Sequence, residues 1–271
     1  QGARSRPLRA GAVNHRLRPG FRCLGLGNRR PNLLYTRRIG RSPHRSPFVS
    51  AEATAAAGDD GVIYTDTPQQ SNILGAAKLS GQVGRFSVGL LNATTRAEYG
   101  RVQAFDANRQ LVAEEQALVE PLSNFLVGRA RGTFGQTIVG GLATSVVRDT
   151  EDPAIGEVLP ATATVAGVDL EHVFSRQWRT TAQVVGSNVT GSELAMARLQ
   201  TAFPRSFQRP DADHLTLDST RTSLAGWSAE ANLLKTDGDH WTGGLHAAAT
   251  SPGFDANELG FQASADIARL E

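Results

Sequence analysis

From residue 71 onward, apolar and polar residues alternate in runs of about nine to thirteen, each closed by a cluster of Gly, Asn, Asp or Ser. Side chains of a strand point alternately to opposite faces, so this period of two predicts extended strands with one apolar and one polar face. Run length narrows the choice further. Strands of globular sheets average about five or six residues, whereas a strand crossing a bilayer at a tilt needs about nine to eleven.

About ten strands are expected. The first pair covers residues 72–79 and 85–95, turned through Ser80-Gly81-Gln82-Val83-Gly84, with Phe86, Val88 and Leu90 on one face and Ser87 and Gly89 on the other. The polar stretch 97–115 reads as a connection. Pro121, which has no ladder donor, suits a strand start, and a second pair follows over 124–133 and 137–148. In the third pair Ala166, Val168, Leu170 and Phe174 oppose Gly167, Asp169 and Glu171, and the chain returns over 178–187. The fourth, 222–234 and 240–250, flanks residues 235–239, whose Asp-Gly step supplies the positive φ of a tight hairpin. A last strand over 258–267 sets Leu259, Phe261, Ala263, Ala265 and Ile267 against Glu258, Gly260, Gln262, Ser264 and Asp266. Tight turns alternate with longer polar segments, 96–116, 149–161 and 190–213, as in a barrel with short turns on one rim and extended loops on the other. Only 193–201 could form a short helix, within a loop.

The fold expected over residues 33–271 is therefore all-β: an antiparallel up-and-down meander forming a membrane-type β-barrel, as an incomplete fragment of a larger barrel. A soluble β-sandwich uses the same alternation to bury one face. Against it stands the near absence of Lys, which soluble sheets use to protect faces and edges; Lys78 and Lys235 are the only two. No stretch approaches the roughly 18 apolar residues of a membrane-spanning helix, whereas a barrel wall averages to ordinary hydropathy.

Charge divides the chain. Residues 1–45 contain 12 Arg and no Asp or Glu, leaving an acidic remainder. Residues 1–32 are expected to be a basic leader, poorly ordered or not authentic. Their Arg run lacks a period and, beyond Phe21, interleaved aromatics, so nucleic acid is not an expected partner. The chain opens at Gln1 with no apolar h-region, so it reads as an internal fragment whose address segment lies elsewhere. One Cys, Cys23, gives no disulfide framework.

No catalytic constellation emerges. The six His include no pair at metal-ligand spacing, so neither metal nor cofactor is expected. His214 beside Asp211 and Asp213 reads as a polar loop entering a strand. Asp169 and Glu171 share a strand face; paired carboxylates can hydrolyse glycosides, but in a barrel they line the lumen. The lumen-facing polar candidates are Asp169, Glu171, Gln183, Glu230 and Gln262. Trp178, Trp227 and Trp241 are candidates for the aromatic girdles at the two membrane interfaces.

The run Leu34-Tyr35-Thr36-Arg37-Arg38-Ile39-Gly40-Arg41 resembles the (F/Y)-(S/T)-R-R-I-G-R signature of the bacterial DUF5916 family. The likeness continues through Lys78 in Gly75–Gly81, Pro121 in Val119-Glu120-Pro121, Arg129, the strand ending at Arg148, Arg209 and Pro210, Pro252 and Gly253, and Asn257 with Gly260. It fails before Leu33. Members resemble one another in carrying a family-nine-type carbohydrate-binding module ahead of a large C-terminal β-barrel. The resemblance implies a barrel region in the bacterial outer membrane, contacting lipid, that acts as anchor or passage for a carbohydrate-binding module absent from this chain. The final Ala268-Arg269-Leu270-Glu271 lacks the terminal aromatic of completed barrels, so further strands are expected. The alternatives are a β-rich part of a glycan-active hydrolase and a soluble β-sandwich binding module.

Overall fold

The computed structural model describes residues 33–175, 177–235, 237 and 241–271. The leader expected over 1–32 and most of the Asp-Gly turn, residues 236 and 238–240, lie outside the described residues. In chain order the elements are α1 (Ala51–Ala57), β1 (Val62–Asp66), β2 (Ile73–Val83), β3 (Phe86–Thr95), β4 (Glu98–Phe105), β5 (Leu111–Glu120), β6 (Ser123–Phe134) and β7 (Thr137–Arg148). They continue with α2 (Pro153–Gly156), β8 (Thr162–Phe174), β9 (Trp178–Thr190), α3 (Glu193–Thr201), β10 (Ser223–Lys235), β11 (Gly243–Thr250) and β12 (Ile267–Leu270).

The all-β, antiparallel expectation holds. Nine strands form one sheet in the order β12-β11-β10-β9-β8-β7-β6-β3-β2. All pairings are antiparallel and join strands consecutive in the chain, except that β3, paired with β2 on one side, meets β6 on the other. Edges β2 and β12 do not meet among the described residues, so this sheet is not closed into a barrel. Within the large sheet, the tight turns Gly84-Arg85 and Gly135-Gln136 and the connections that follow Phe174 and Lys235 lie at one end. Gly84 and Gly135 adopt positive φ, 57° and 61°, as such tight turns require. The other end carries every long connection, with α2, α3 and a second, three-stranded sheet ordered β1-β4-β5.

Three sequence expectations need correction. Residues 97–115 are not a polar connection but strands β4 and β5, with α1 on their inner side. The buried side chains of β4 are Glu98, Gly100, Val102 and Ala104, half of them not apolar, so no hydrophobic period marks the strand. Helix α1 was also unforeseen; Ser50 caps it, accepting a hydrogen bond from Ala53 N at 2.9 Å, and Ala53 and Ala57 pack on Val102 and Ala104. The first tight turn falls at Gly84-Arg85, because the strand expected to end at 79 continues through Val83.

The third correction concerns 258–267. Only Ile267–Leu270 forms a strand; residues 251–266 fold inward across the sheet as a connection. Side chains satisfy its backbone locally: Asp255 Oδ1 accepts from Asn257 N and Asn257 Oδ1 from Gln262 N, both at 2.8 Å. Such side-chain turns compete with a ladder. Buried Phe254, Ala256 and Leu259 then join Leu33, Leu34, Phe125, Val127, Leu142, Val146, Val165 and Val185 in the main core. The close approach needs two glycines. A Cβ on Gly226 would overlap the backbone of Gly253 and Phe254, and one on Gly253 the carbonyl of Ala225. Helix α3 occupies the span expected for a loop helix, 193–201, and Met196 packs in a second cluster with Val189, Phe207 and Leu224.

Candidate functional site

Directly opposed residues of antiparallel strands share a face, so the register divides the nine-stranded sheet into two chemically distinct surfaces. The outward face runs through Leu79, Val83, Val88, Leu90, Leu126, Val139, Ala143, Val168, Leu170, Ala182, Val184, Ala229, Ala231, Leu233 and Leu245. It holds no Asp, Glu or Arg, and its single Lys, Lys235, stands at the short-turn end. Large apolar side chains on it are open to solvent, Val168 at 62% and Val184 at 55%, and no described segment covers them.

Aromatic rings gather where this face meets the short turns. Phe86 and Phe134 pack edge to face at 5.7 Å over Gly132, where a Cβ would strike both rings. Phe174 stacks on Trp178 at 6.1 Å, Trp178 meets Trp241 edge-on at 6.0 Å, and Lys235 Nζ lies 3.9 Å from the centre of the Trp241 ring. Trp227 is on the same face of β10, closer to the long connections, across from Gly186. Between it and Lys235 the strand rises about 27 Å. The three candidate tryptophans thus lie towards both ends of one apolar surface.

The inward face carries the charge. Arg129 Nη2 donates to both oxygens of Asp169, at 2.8 Å to Oδ2, crossing β7 over Gly140. A Cβ there would fall 2.7 Å from the guanidinium nitrogen and overlap the carboxylate. Glu171 sits between Arg131, 3.2 Å away, and Arg179, 3.6 Å away. Further along, Gln183 Nε2 donates to Glu230 Oε2 at 3.3 Å, Asn232 donates to Glu230 Oε1 at 3.2 Å, and His246 Nδ1 donates to Asn232 Oδ1 at 2.7 Å. Asp169, Glu171, Gln183 and Glu230 are therefore neighbours in one wall of ion pairs and amides. Gln262 is elsewhere: buried in the inward-folded connection, it donates to Phe254 O at 3.0 Å and accepts from Ala256 N at 3.1 Å, fixing that segment's shape. Of the partners of these carboxylates and amides, Arg129 was expected as a motif residue, whereas Arg131, Arg179 and His246 were not singled out from the sequence. Their inward placement follows from the same alternation.

The motif residues, scattered in sequence, converge at the long-connection end. Tyr35 N donates to Leu259 O at 2.5 Å, Arg38 donates to Asn257 O, and Gly40, at φ 76°, turns the chain beneath Ser71. Arg37 is exposed, whereas Arg41 is partly buried. Arg148, fully buried, pairs with Glu258 and donates to Pro160 O at 3.2 Å. Buried Pro121 precedes β6, its carbonyl accepting from Ser123 Oγ at 3.0 Å. Arg209, followed by Pro210, pairs with Asp266 and Asp211, while neighbouring Arg205 and Asp255 form a buried ion pair. Pro252 and Gly253 open the inward-folded connection, and Gly260 N donates to Ala256 O at 2.8 Å within it. Lys78 lies apart, on the inward face of edge strand β2.

Burial pushes the Glu258 carboxyl up, but Arg148, His44 and Arg41 around it and the hydrogen bond from Arg148 outweigh this and hold it below the usual carboxylate range. Among the described residues there is no group of three metal-ligating side chains, and no helix is long and apolar enough to cross a membrane.

No curated protein and no solved structure matches the chain. The family model of a domain of unknown function, DUF5916, matches residues 28–271. That span takes in both sheets, the wall of ion pairs and every converging motif, and the chain belongs to the DUF5916 family.

Proposed function

We propose that the nine-stranded sheet is the wall of an up-and-down β-barrel in the bacterial outer membrane, serving as anchor or passage for a carbohydrate-binding partner module and not as a catalyst. One observation carries this reading: the outward face is free of Asp, Glu and Arg across all nine strands while the inward face concentrates charge. Water would place the charges outside; a hydrocarbon surround with an aqueous interior favours the reverse. Three further features support it. Main-sheet strands reach 13 residues, rings gather where the apolar face ends, and turns are short at one end only. The open edges β2 and β12 are then where additional strands complete the wall. The carboxylates Asp169 and Glu171 are both committed to Arg partners, which suits a lumen lining better than a glycosidase acid/base pair.

The test follows far-ultraviolet circular dichroism and heat-modifiable gel mobility of the purified chain with and without detergent or lipid vesicles. A β spectrum and a mobility shift that require detergent or lipid support the membrane wall. A monomeric, cooperatively folded β protein in plain buffer overturns it in favour of a soluble binding module.

A further inference from the structure

At the long-connection end of the inward face, one polar cluster has more donors than acceptors. The signature loop, the end of β5, the end of β7 and the inward-folded connection surround a cavity of about 10 Å³, room for one oxygen-sized group. Its two carboxylates are already engaged. Glu120 Oε2 accepts from His44 N at 2.9 Å and from His44 Nδ1 at 2.6 Å, and Glu258 accepts from Arg148. Arg38 is committed to Asn257 O.

What remains is unmatched. The Arg41 guanidinium makes no hydrogen bond or ion pair with any described side chain at contact distance, although it lines the cavity. Burial holds its pKa below the ordinary arginine value, with Glu258 and Glu120 pulling it up and Arg38 and Arg148 pushing it down. Two more nitrogens of the cluster, His44 Nε2 and Arg148 Nε, are buried without a hydrogen-bond partner among the described residues. Buried polar groups ordinarily find partners, and those that do not call for a missing one. Among the lining side chains, three Arg against two Glu leave one net positive charge, the complement of a monoanion rather than of a doubly charged phosphate.

We propose that this cavity binds the carboxylate of a small soluble solute, gripped by the planar fork of Arg41 with Arg148 Nε behind it. A guanidinium meets a carboxylate with two parallel hydrogen bonds, and one carboxylate oxygen fills the available room. Phe125 and Arg148, which line the cavity from β6 and β7, stand on the inward face, away from the charge-free surface, so the source is a soluble solute and not a lipid. The site draws on the signature residues Arg38, Gly40 and Arg41 and on the distant Arg148 and Glu258, which gives their convergence a chemical purpose. It does not depend on the membrane reading.

The experiment titrates the folded chain, in whichever of buffer or detergent it folds, with acetate at constant ionic strength, reading thermal stability and heat of binding. Acetamide, chloride and inorganic phosphate serve as comparisons. Expected is saturable stabilisation by acetate with half-saturation at about 1–10 mM, none by neutral acetamide, and weaker effects of chloride and phosphate. Arg41→Gln raises the half-saturating concentration at least about tenfold, and Arg41→Lys, which keeps the charge but loses the fork, gives an intermediate loss. Equal responses to acetate and acetamide, no saturable response in the unaltered chain, or full retention of binding in Arg41→Gln each overturn the proposal. The acetate-against-acetamide comparison needs no variant, so it stands even if Arg41→Gln does not fold.

Discussion

Placing an arginine at Val168 separates a lipid-facing wall from a water-facing one. Val168 is equidistant from Thr162 and Phe174, the ends of β8, about 20 Å along the strand from each. At a barrel tilt of about 45° that puts it near the middle of an apolar band roughly 25 Å tall. Its in-register neighbours on the outward face are Gly141 and Val184, and the side chain is 62% exposed. In water, replacing so open a side chain changes stability by no more than about 0.5 kcal/mol. At a bilayer midplane Val168→Arg costs about 2–4 kcal/mol, whereas the same residue near an interface costs about 0–1 kcal/mol. Thr180→Arg supplies the second position: it lies on the same face beside His172, towards the short turns. Reversible denaturant unfolding in lipid vesicles, followed by tryptophan fluorescence, measures both. The expected outcome is a Val168→Arg penalty at least about 1.5 kcal/mol beyond that of Thr180→Arg. Equal penalties, or a Val168→Arg cost below about 0.5 kcal/mol, refute the assignment of this face to lipid.

Adjacent glycines on opposite faces of β7 make a matched pair. Gly140→Val drives a side chain into the Arg129–Asp169 ion pair and is expected to cost about 2–3 kcal/mol, below the roughly 3–5 of a fully buried pair. Gly141→Ala, whose Cβ meets nothing closer than 3.8 Å, is expected to cost less than about 1 kcal/mol; chemical denaturation of both variants checks the ratio. Glu258, with its carboxyl held below the ordinary 4.5, stabilises the fold fully above that value and loses the contribution as pH falls through its lower folded value. Thermal melting from pH 7 to pH 3 should therefore fall more steeply below pH 4.5 for the unaltered chain than for Glu258→Gln, which should be the less stable protein at pH 7. Parallel curves would contradict the role assigned to this carboxylate.

Alternation revealed the long strands because there it reports a real division of solvents. Trp227, Ala229, Ala231 and Leu233 point one way and Ser228, Glu230 and Asn232 the other, as their register with β9 requires. The same rule failed where the two sides do not differ in polarity. In β4 the inner set mixes Glu98 and Gly100 with Val102 and Ala104, so nothing in the composition announced a strand. It failed in the opposite sense at 258–267, where flawless alternation belongs to a folded connection whose Asn257 and Gln262 tie up the backbone. The inward carboxylates were legible from their positions, but their arginine partners required the diagonal offset between strands, which only the register supplies. Equally hidden was the meeting of residues 34–41 with 252–261, since a contact between two irregular segments leaves no period in either.

The neighbour-to-neighbour order of the large sheet also bears on how the chain assembles. A meander can grow by apposition, each arriving strand zipping onto the one just laid down, with little search through distant pairings. The β3–β6 junction is the one that skips intervening strands, because residues 96–122, which carry β4 and β5, must be looped out before β6 can dock. Loop closure grows only logarithmically with length, so that detour costs about 2 kcal/mol more than a tight turn. Strands β4 and β5 offset it by pairing within the loop, where Glu98 stands opposite Glu120 and the ends are drawn together, while β1 and α1, from ahead of β2, pack onto that pair and make it a clasp between the first hairpin and the remainder of the wall.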